Sequence, residues 1–413
     1  MEERLIFHID VNNAFLSWTA VDLLRKGYPI DIRTIPSVIG GDEEKRRGIV
    51  TAKSPVAKKM GVVTAEPLFM ARRKCPDLKI FKGDYALFRR ESDQLYRYFC
   101  EFTDKIERYS IDECFLDMTG TNYLYSDPIR LAYHMKDEIY RKFGYTVNVG
   151  IGNNKLCAKM ASDFEKPNKV HTLFSSEVQT KMWPLSVSEL FMVGKSSSKT
   201  LMEMGIKTIG DLAKVDVNIL KRRFKSQGEM MHQYAWGIDY SPVEARSSKN
   251  KSISVTETLE KDIDSIPVLR KILLRQADRV GKQARREKLY AKTVAVIFKT
   301  SDFVSYSHQM KLVNSTNVTE EIYKICLQIL KNGWRGEPLR LIGIRLADFT
   351  TDNSKQVSIF DQEKDIHVDK IQEVIDNITD KFGEGVIIPA SLKEKEEEKK
   401  NENCNYWGRE GWS

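Results

Sequence analysis

Apolar and polar positions follow two periods along this chain, and the changes between them are legible. Leu5-Ile6-Phe7-His8-Ile9-Asp10-Val11 is a strand-forming run with a carboxylate near its end. A helical pattern follows over residues 14–26, and Gly27 stops it. Ile106, Cys114, Phe115, Leu116 and Met118 flank a polar turn. Two short strands joined by a tight turn are therefore expected, with Ser110 and Asp112 supplying the turn chemistry. Asp127 and Pro128 then mark a helix start, with Leu131, Met135, Ile139 and Phe143 on one face and Gly144 at the end. Thr146 to Ile151 reads as a strand. Gly152-Asn153-Asn154 opens a helix that carries Lys155 and Lys159 and ends at Lys166-Pro167. Strand, helix and strand in this order predict a right-handed crossover and a ferredoxin-like sheet with helices behind it. In such a sheet Asp10 and the Asp112-Glu113 turn share one edge.

Residues 30–75 hold short apolar runs among basic clusters: Arg33, Lys45-Arg46-Arg47, Lys53, Lys58-Lys59 and Arg72-Arg73-Lys74. Gly48 to Ala52 reads as a strand, and the whole as a small lobe suited to lie over a polyphosphate. Residues 175–240 read as short helices. Gly194-Lys195 precedes one, and the stretch from Gly205 to Leu212 starts another. Two readings stand: a helix-hairpin-helix whose loop amides hold a DNA phosphate, or a plain packing turn. A basic linker, 241–252, follows. Residues 253–350 predict strand, helix 266–287, strands 290–300 and 303–312, helix 317–332 and strand 339–349, a second split βαβ domain. It carries Lys282, Arg285, Arg286, Lys288 and Lys292 but no paired carboxylates. The tail predicts a helix with Ile371, Val374, Ile375, Ile378 and Phe382 on one face. A short strand at Val386-Ile387-Ile388 and a disordered charged run from Lys393 to Lys400 follow it.

Composition narrows the class. A chain of 413 residues predicts two to four domains, and 41% apolar with 30% charged residues reads as a globular protein. No apolar run is long enough to span a bilayer, and the acidic start is no signal peptide, so a cytoplasmic location without membrane contact is expected. Six cysteines without zinc spacing read as reduced thiols in packed positions. A net charge of +8 favours an anionic partner, most simply nucleic acid.

The candidate chemistry lies in three carboxylates. Adjacent Asp112 and Glu113 repel each other unless a cation sits between them. If the strands pair, Asp10 joins them, and hard oxygen ligands of this kind suit two Mg²⁺ ions, or Mn²⁺, in phosphoryl transfer. Phe15, just past the first carboxylate, is either a core residue or a neighbour of bound substrate.

Several stretches resemble, in order and spacing, the Y-family translesion DNA polymerases, in the subgroup of the bacterial DNA polymerase IV type. They are the run His8 to Phe15, then Gly48 to Val62, then Ser110 to Glu113, then Ala161-Ser162-Asp163-Phe164-Glu165-Lys166-Pro167. The resemblance covers residues 4–360. It implies an α/β (α+β) multidomain chain. The ferredoxin-like palm would take 1–25 and 77–175, small fingers 26–76, and a helix-hairpin-helix thumb 176–240. After the linker come a split-βαβ little finger, 253–350, and a clamp-binding peptide with a tail, 351–413. It implies metal ligation by Asp10, the Val11 carbonyl, Asp112 and Glu113. Phe15 becomes the gate against a ribose 2′-OH, and Lys58 and Lys166 contact the triphosphate. Gly194, Lys195, Arg285, Arg286 and Lys288 become DNA contacts. Three positions depart from the family pattern: Pro55 replaces a triphosphate-binding tyrosine, Lys58 stands where arginine is common, and Asn12 replaces an acidic residue. The usual first glycine of the thumb motif is Met192.

The pattern Gln356-x-Ser358-Ile359-Phe360 resembles the peptide by which bacterial polymerases dock on the sliding clamp. The other reading of Ile359 and Phe360 is packing on the protein itself. The expected activity is template-directed addition of deoxynucleotides to a primer 3′-OH by a monomer that binds primer-template DNA, with low fidelity and no proofreading. The alternative is a catalytically degenerate protein that binds primer-template DNA.

Overall fold

A computed structural model describes residues 4–41, 48–121, 125, 127–244, 250–352, 364–383, 386 and 387, with 364–371 and 373 described in backbone only. The chain divides near residue 248 into two compact units.

In the first unit, β1 (Ile6–Val11) leads into α1 (Ala14–Arg25). A small lobe follows: β2 (Ser37–Gly40), β3 (Val50–Lys53), α2 (Pro55–Lys59), α3 (Leu68–Lys74) and β4 (Lys79–Lys82). Its sheet has the order β3-β2-β4, with β4 parallel to β2. The lobe therefore takes its last strand from beyond residue 76, where the sequence reading ended it. Then come α4 (Tyr85–Phe99), β5 (Ile106–Arg108), β6 (Glu113–Asp117), α5 (Pro128–Phe143), β7 (Val147–Gly152), α6 (Lys155–Asp163) and β8 (Val170–Leu173). The main sheet runs β5-β6-β1-β7-β8, and β1 is antiparallel to both neighbours. Because β1 lies between β6 and β7, the expected βαβ unit is a split one.

Strand parity sets the two faces of this sheet. Phe7, Ile9, Val11, Leu116, Val147 and Val149 share one core with α1, α4 and α5. Ile6, His8 and Asp10 point the other way, toward α6. The start of α5 is as expected, with Asp127 accepting from the Ile129 and Arg130 amides and Gly144 closing the helix at φ 83°. α6 is N-capped by Asn154 and ends at Asp163, before Lys166-Pro167. It also contributes Leu156, Cys157 and Met160 to a core shared with the helical region that follows.

That region contains α7 (Lys195–Glu203), α8 (Ile209–Lys214), α9 (Val217–Phe224) and α10 (Ser226–Ala235). The first residues of the expected linker are fastened to the sheet domain. Arg4 donates to the Ser241 carbonyl, and Lys155 donates to that of Pro242.

The second unit comprises β9 (Ser252–Ile263), α11 (Ile266–Arg286), β10 (Tyr290–Thr300), β11 (Ser305–Thr316), α12 (Thr319–Gly333), β12 (Leu339–Thr350) and α13 (Lys364–Phe382). Its sheet order is β11-β10-β12-β9, all antiparallel, so two split βαβ units interlock as the sequence suggested. Val294, Val296, Phe298, Ile342 and Ile344 face α11 and α12 in the core. The helix expected in the tail forms as α13, but Val386 and Ile387 lie in a bend, not a strand. The run 393–400 and the peptide Gln356-Val357-Ser358-Ile359-Phe360 lie outside the described residues. Of the cysteines described, 75, 114, 157 and 326 are buried and 100 is exposed, all as free thiols.

Candidate active site

Two of the three carboxylates meet because of register. Asp10 on β1 stands directly opposite Glu113 on β6. Non-local pairing does what sequence distance hides: cross-strand partners have side chains within about 5 Å. Asp112 sits in the preceding turn. Its carbonyl accepts from the Val11 amide at 3.0 Å, and its side chain accepts from Ser110 Oγ at 2.6 Å.

α6 supplies the charge that balances this pair. Lys159 Nζ donates to Glu113 Oε1 at 2.8 Å and lies 3.6 Å from Asp10 Oδ2 and 3.4 Å from Asp163 Oδ2. Lys166 Nζ donates to Asp10 Oδ2 and pairs with Asp163 Oδ1, both at 2.8 Å. The helix comes this close because Gly150 and Gly152 line the facing side of β7. A Cβ on Gly150 would lie 2.0 Å from the Ala158 carbonyl oxygen. Asn148, also on this face, donates to the Ser162 and Glu165 carbonyls and so satisfies the end of α6.

The electrostatics follow from burial and these partners. Burial pushes the Asp10 carboxyl up to about 6 against the pull of Lys166 and Lys159. Burial also opposes charge on Glu113, but its contacts with His8 and Lys159 outweigh that and hold it below the usual carboxylate range. The effective partner is Lys159. His8 Nε2 is 3.7 Å from Glu113 Oε2, beyond hydrogen-bond length, and burial pushes the imidazole down to about 4, so it is neutral at pH 7. His8 Nδ1 bonds to Ser162 Oγ at 2.8 Å instead. Burial works against the charge on Lys159 too, yet the hydrogen bond to Glu113 and the surrounding carboxylates raise its pKa.

The donor chemistry fits a hard divalent cation: carboxylate oxygens from adjacent strand ends, two of them already converging on one ammonium. Among the described residues, however, no three His, Cys, Asp or Glu side chains are gathered closely enough to hold an ion. Asp112 is turned to Ser110, and the space between Asp10 and Glu113 is bridged by Lys159.

Phe15, in the first turn of α1, is half-buried and stacks on Phe88 with centroids 4.5 Å apart. Asn13 holds φ 52° before this helix and donates to the Lys53 carbonyl, tying the helix start to the small lobe. Asn12, the departure from the family pattern, is buried. Its Nδ2 donates to Asn148 Oδ1, and its Oδ1 accepts from the Asn168 backbone amide. Pro55 is the first residue of α2 after the N-cap Ser54, a position that proline suits. Lys58 is exposed on the same helix.

The other expected contacts divide. Gly194 is the N-cap of α7, with Lys195 its first residue. Met192, in the position of the usual glycine, has φ 69°, so the backbone keeps the left-handed conformation that glycine ordinarily provides. Arg285 is mostly buried and ion-paired, whereas Arg286 is paired but its side chain stays 55% exposed. Arg285 forms a two-pronged pair with Asp376 of α13 and donates to the Asn317 carbonyl. Arg286 and Lys282 share Asp380. Sequence reasoning missed these pairs because the acidic partners lie about 90 residues away. Lys288 follows α11 at φ 54°. On the sheet face opposite the helices, exposed Lys311 stands at the register position of Thr293, two residues from Ala295, which pairs with the half-buried Arg345. Sequence reasoning also left Lys159 without a role, although spacing of four places Lys155, Lys159 and Asp163 on one helix face.

Comparison with known proteins agrees with this geometry. Residues 9–163 match the model of the impB/mucB/samB family, 250–359 match that family's C-terminal domain, and 189–239 match a thumb domain described for DNA polymerase-iota. The chain is 45% identical to a DNA polymerase IV of Clostridium acetobutylicum, covering 95% of this chain and 99% of that one. It is 34% identical to DNA polymerase IV 2 of Bacillus subtilis, covering 95% of each. A solved Y-family DNA polymerase chimera of Dbh and Dpo4 shares the fold with a TM-score of 0.72 at 23% identity, covering 84% of this chain and all of that one. With near-complete coverage of such relatives, matching domains at both ends and paired carboxylates on adjacent strands, the chain belongs to the Y-family of DNA polymerases, in the DNA polymerase IV group.

Proposed function

We propose that this chain is a template-directed DNA polymerase of the lesion-bypass class, adding deoxynucleotides to a primer 3′-OH. The observation that carries this reading is the direct opposition of Asp10 and Glu113 on neighbouring strands. The family depends on a divalent metal. The proposed ions are two Mg²⁺, Mn²⁺ serving as a substitute, held by Asp10, Asp112, Glu113 and the Val11 carbonyl. When bound, such ions supply Lewis-acid chemistry to the attacking hydroxyl and the leaving pyrophosphate. The chain's own residues do the rest. Phe15 presents its ring edge to the sugar, and Lys58 and Lys166 take the triphosphate charge. The α7 start at Gly194 and Lys195 holds a backbone phosphate.

The proposed division is palm 1–25 and 77–175, fingers 26–76 with β4 completing their sheet, thumb 176–240 and little finger 253–350. Low fidelity is proposed from the small lobe that would cover the nascent pair. The chain would act as a cytoplasmic monomer tethered to a sliding clamp through Gln356, Ser358, Ile359 and Phe360. Among the described residues no helix is long and apolar enough to cross a membrane. Pro55 has a structural role at the start of α2, so no observation favours a catalytically degenerate binding protein.

Primer extension with Mg²⁺ tests the proposal. Asp112→Ala and Glu113→Ala should each abolish nucleotide addition while DNA affinity holds within a few-fold, because phosphate contacts lie elsewhere. Full activity in either variant would sink the metal assignment.

A further inference from the structure

Lys159 has a position that the reaction as proposed does not use. Its ammonium is buried, with the side chain only 10% exposed, and it touches three carboxylates, of Glu113, Asp163 and Asp10. Two of these are proposed metal ligands. Long lysine side chains ordinarily carry their charge to water. This one is turned inward onto the sheet, and the close approach of α6 at Gly150 leaves it little freedom. A buried carboxylate pair without a cation is costly, and Lys159 supplies that cation from within the fold.

We propose that Lys159 is a positioning residue that serves as the resident cation of the active site. It holds Asp10 and Glu113 together before divalent ions arrive, and an arriving ion must displace it. The inference rests on the assignment of Asp10 and Glu113 as metal ligands. It accounts for the disagreement between a donor set suited to Mg²⁺ and an arrangement in which no three ligands are gathered. The site is closed on an ammonium, and the carboxylates have to turn from it to bind a metal. Its consequence is that the protein alone binds a divalent ion weakly, and that the ion enters effectively with the triphosphate, whose negative charge offsets the lysine. Lys166 differs: it is 36% exposed and pairs with Asp10 from the rim, so it can swing to a nucleotide without uncovering a buried charge.

The test is Mn²⁺ binding to the full chain without DNA or nucleotide, read as free-ion signal by electron paramagnetic resonance, with melting curves in chelator and in Mn²⁺. Lys159→Met keeps the length and removes the charge. It should bind Mn²⁺ tighter than wild type by about tenfold or more, the least that a unit charge this close to both ligands would impose. It should also melt lower in chelator and recover more on adding Mn²⁺. Adding Glu113→Gln to Lys159→Met should remove the gain. If Lys159→Met is unfolded in chelator, folding on addition of Mn²⁺ supports the proposal, and failure to fold in either condition overturns it in favour of simple packing. Equal Mn²⁺ affinity for wild type and Lys159→Met, with Glu113→Gln weakening both, overturns the lysine's role alone. No effect of Glu113→Gln in either background overturns the metal assignment, and the inference with it.

Discussion

Phe15, proposed as the sugar gate, is held in place by packing. Its ring stacks on Phe88 and meets Tyr85 edge-on at 6.3 Å, so neighbours fix its orientation on α1. The turn before it is equally fixed: Asn12 is held to Asn148, and Asn13 reaches the Lys53 carbonyl. A ring held this firmly can refuse a hydroxyl, whereas a mobile one would yield. Phe15→Ala should therefore raise ribonucleotide insertion sharply while deoxynucleotide insertion falls less, at a stability cost of about 2 kcal/mol for a half-buried ring. Single-nucleotide insertion kinetics and a melting curve measure both. Unchanged sugar discrimination with lowered stability would leave Phe15 a packing residue.

Among the elements, the contact between β7 and α6 governs the site. The Gly150 position meets the Ala158 oxygen and the Ser162 nitrogen at distances only hydrogen can occupy, and both are backbone atoms that cannot turn aside. Gly150→Ala has to push α6 outward and carry Lys159 and Lys166 with it. The expected result is a loss of about 2 kcal/mol or more, as overpacking gives, with a fall in nucleotide addition at temperatures where the variant is still folded. Wild-type melting in Gly150→Ala would mean that the helix does not rest on the strand there. α13 makes the same point in the second unit. Its Asp376 and Asp380 pair with Arg285, Lys282 and Arg286, which draws Arg285 and Lys282 into the packing and leaves Arg286 half exposed.

For the whole molecule, the question is what keeps the chain at a primer end. A net charge of +8 gives a sequence-blind attraction to DNA that weakens with salt. A tether would raise the local concentration instead. Ile359→Ala with Phe360→Ala should leave single-nucleotide insertion nearly unchanged and remove clamp-stimulated extension, measured by product length with and without the clamp. Intact stimulation in the double variant would end the docking role, and an unfolded variant would favour packing.

The fold class, the strands and helices around the carboxylates and the split βαβ pattern of the second unit were legible from local signals and family resemblance, whereas β2, β4, α4 and β8 were not read. One strand run ends just past Asp10 and another begins at Glu113, Asp127-Pro128 starts a helix, and Gly144 ends one. The sheet also needed little more than alternation, since a one-residue slip would have put Asp10 on the wrong face. What the sequence could not decide was which charges meet. Lys155 and Lys159 look alike along α6, yet one reaches Glu107 and the other the Asp10-Glu113 pair. Arg285 looks like a free surface cation until Asp376 is found beside it. Met192 looks like a broken motif until its backbone shows φ 69°. In each case the deciding partner or conformation is set by packing between elements distant in the chain. Coulomb energy and close contact depend on distance in space, which local pattern does not encode.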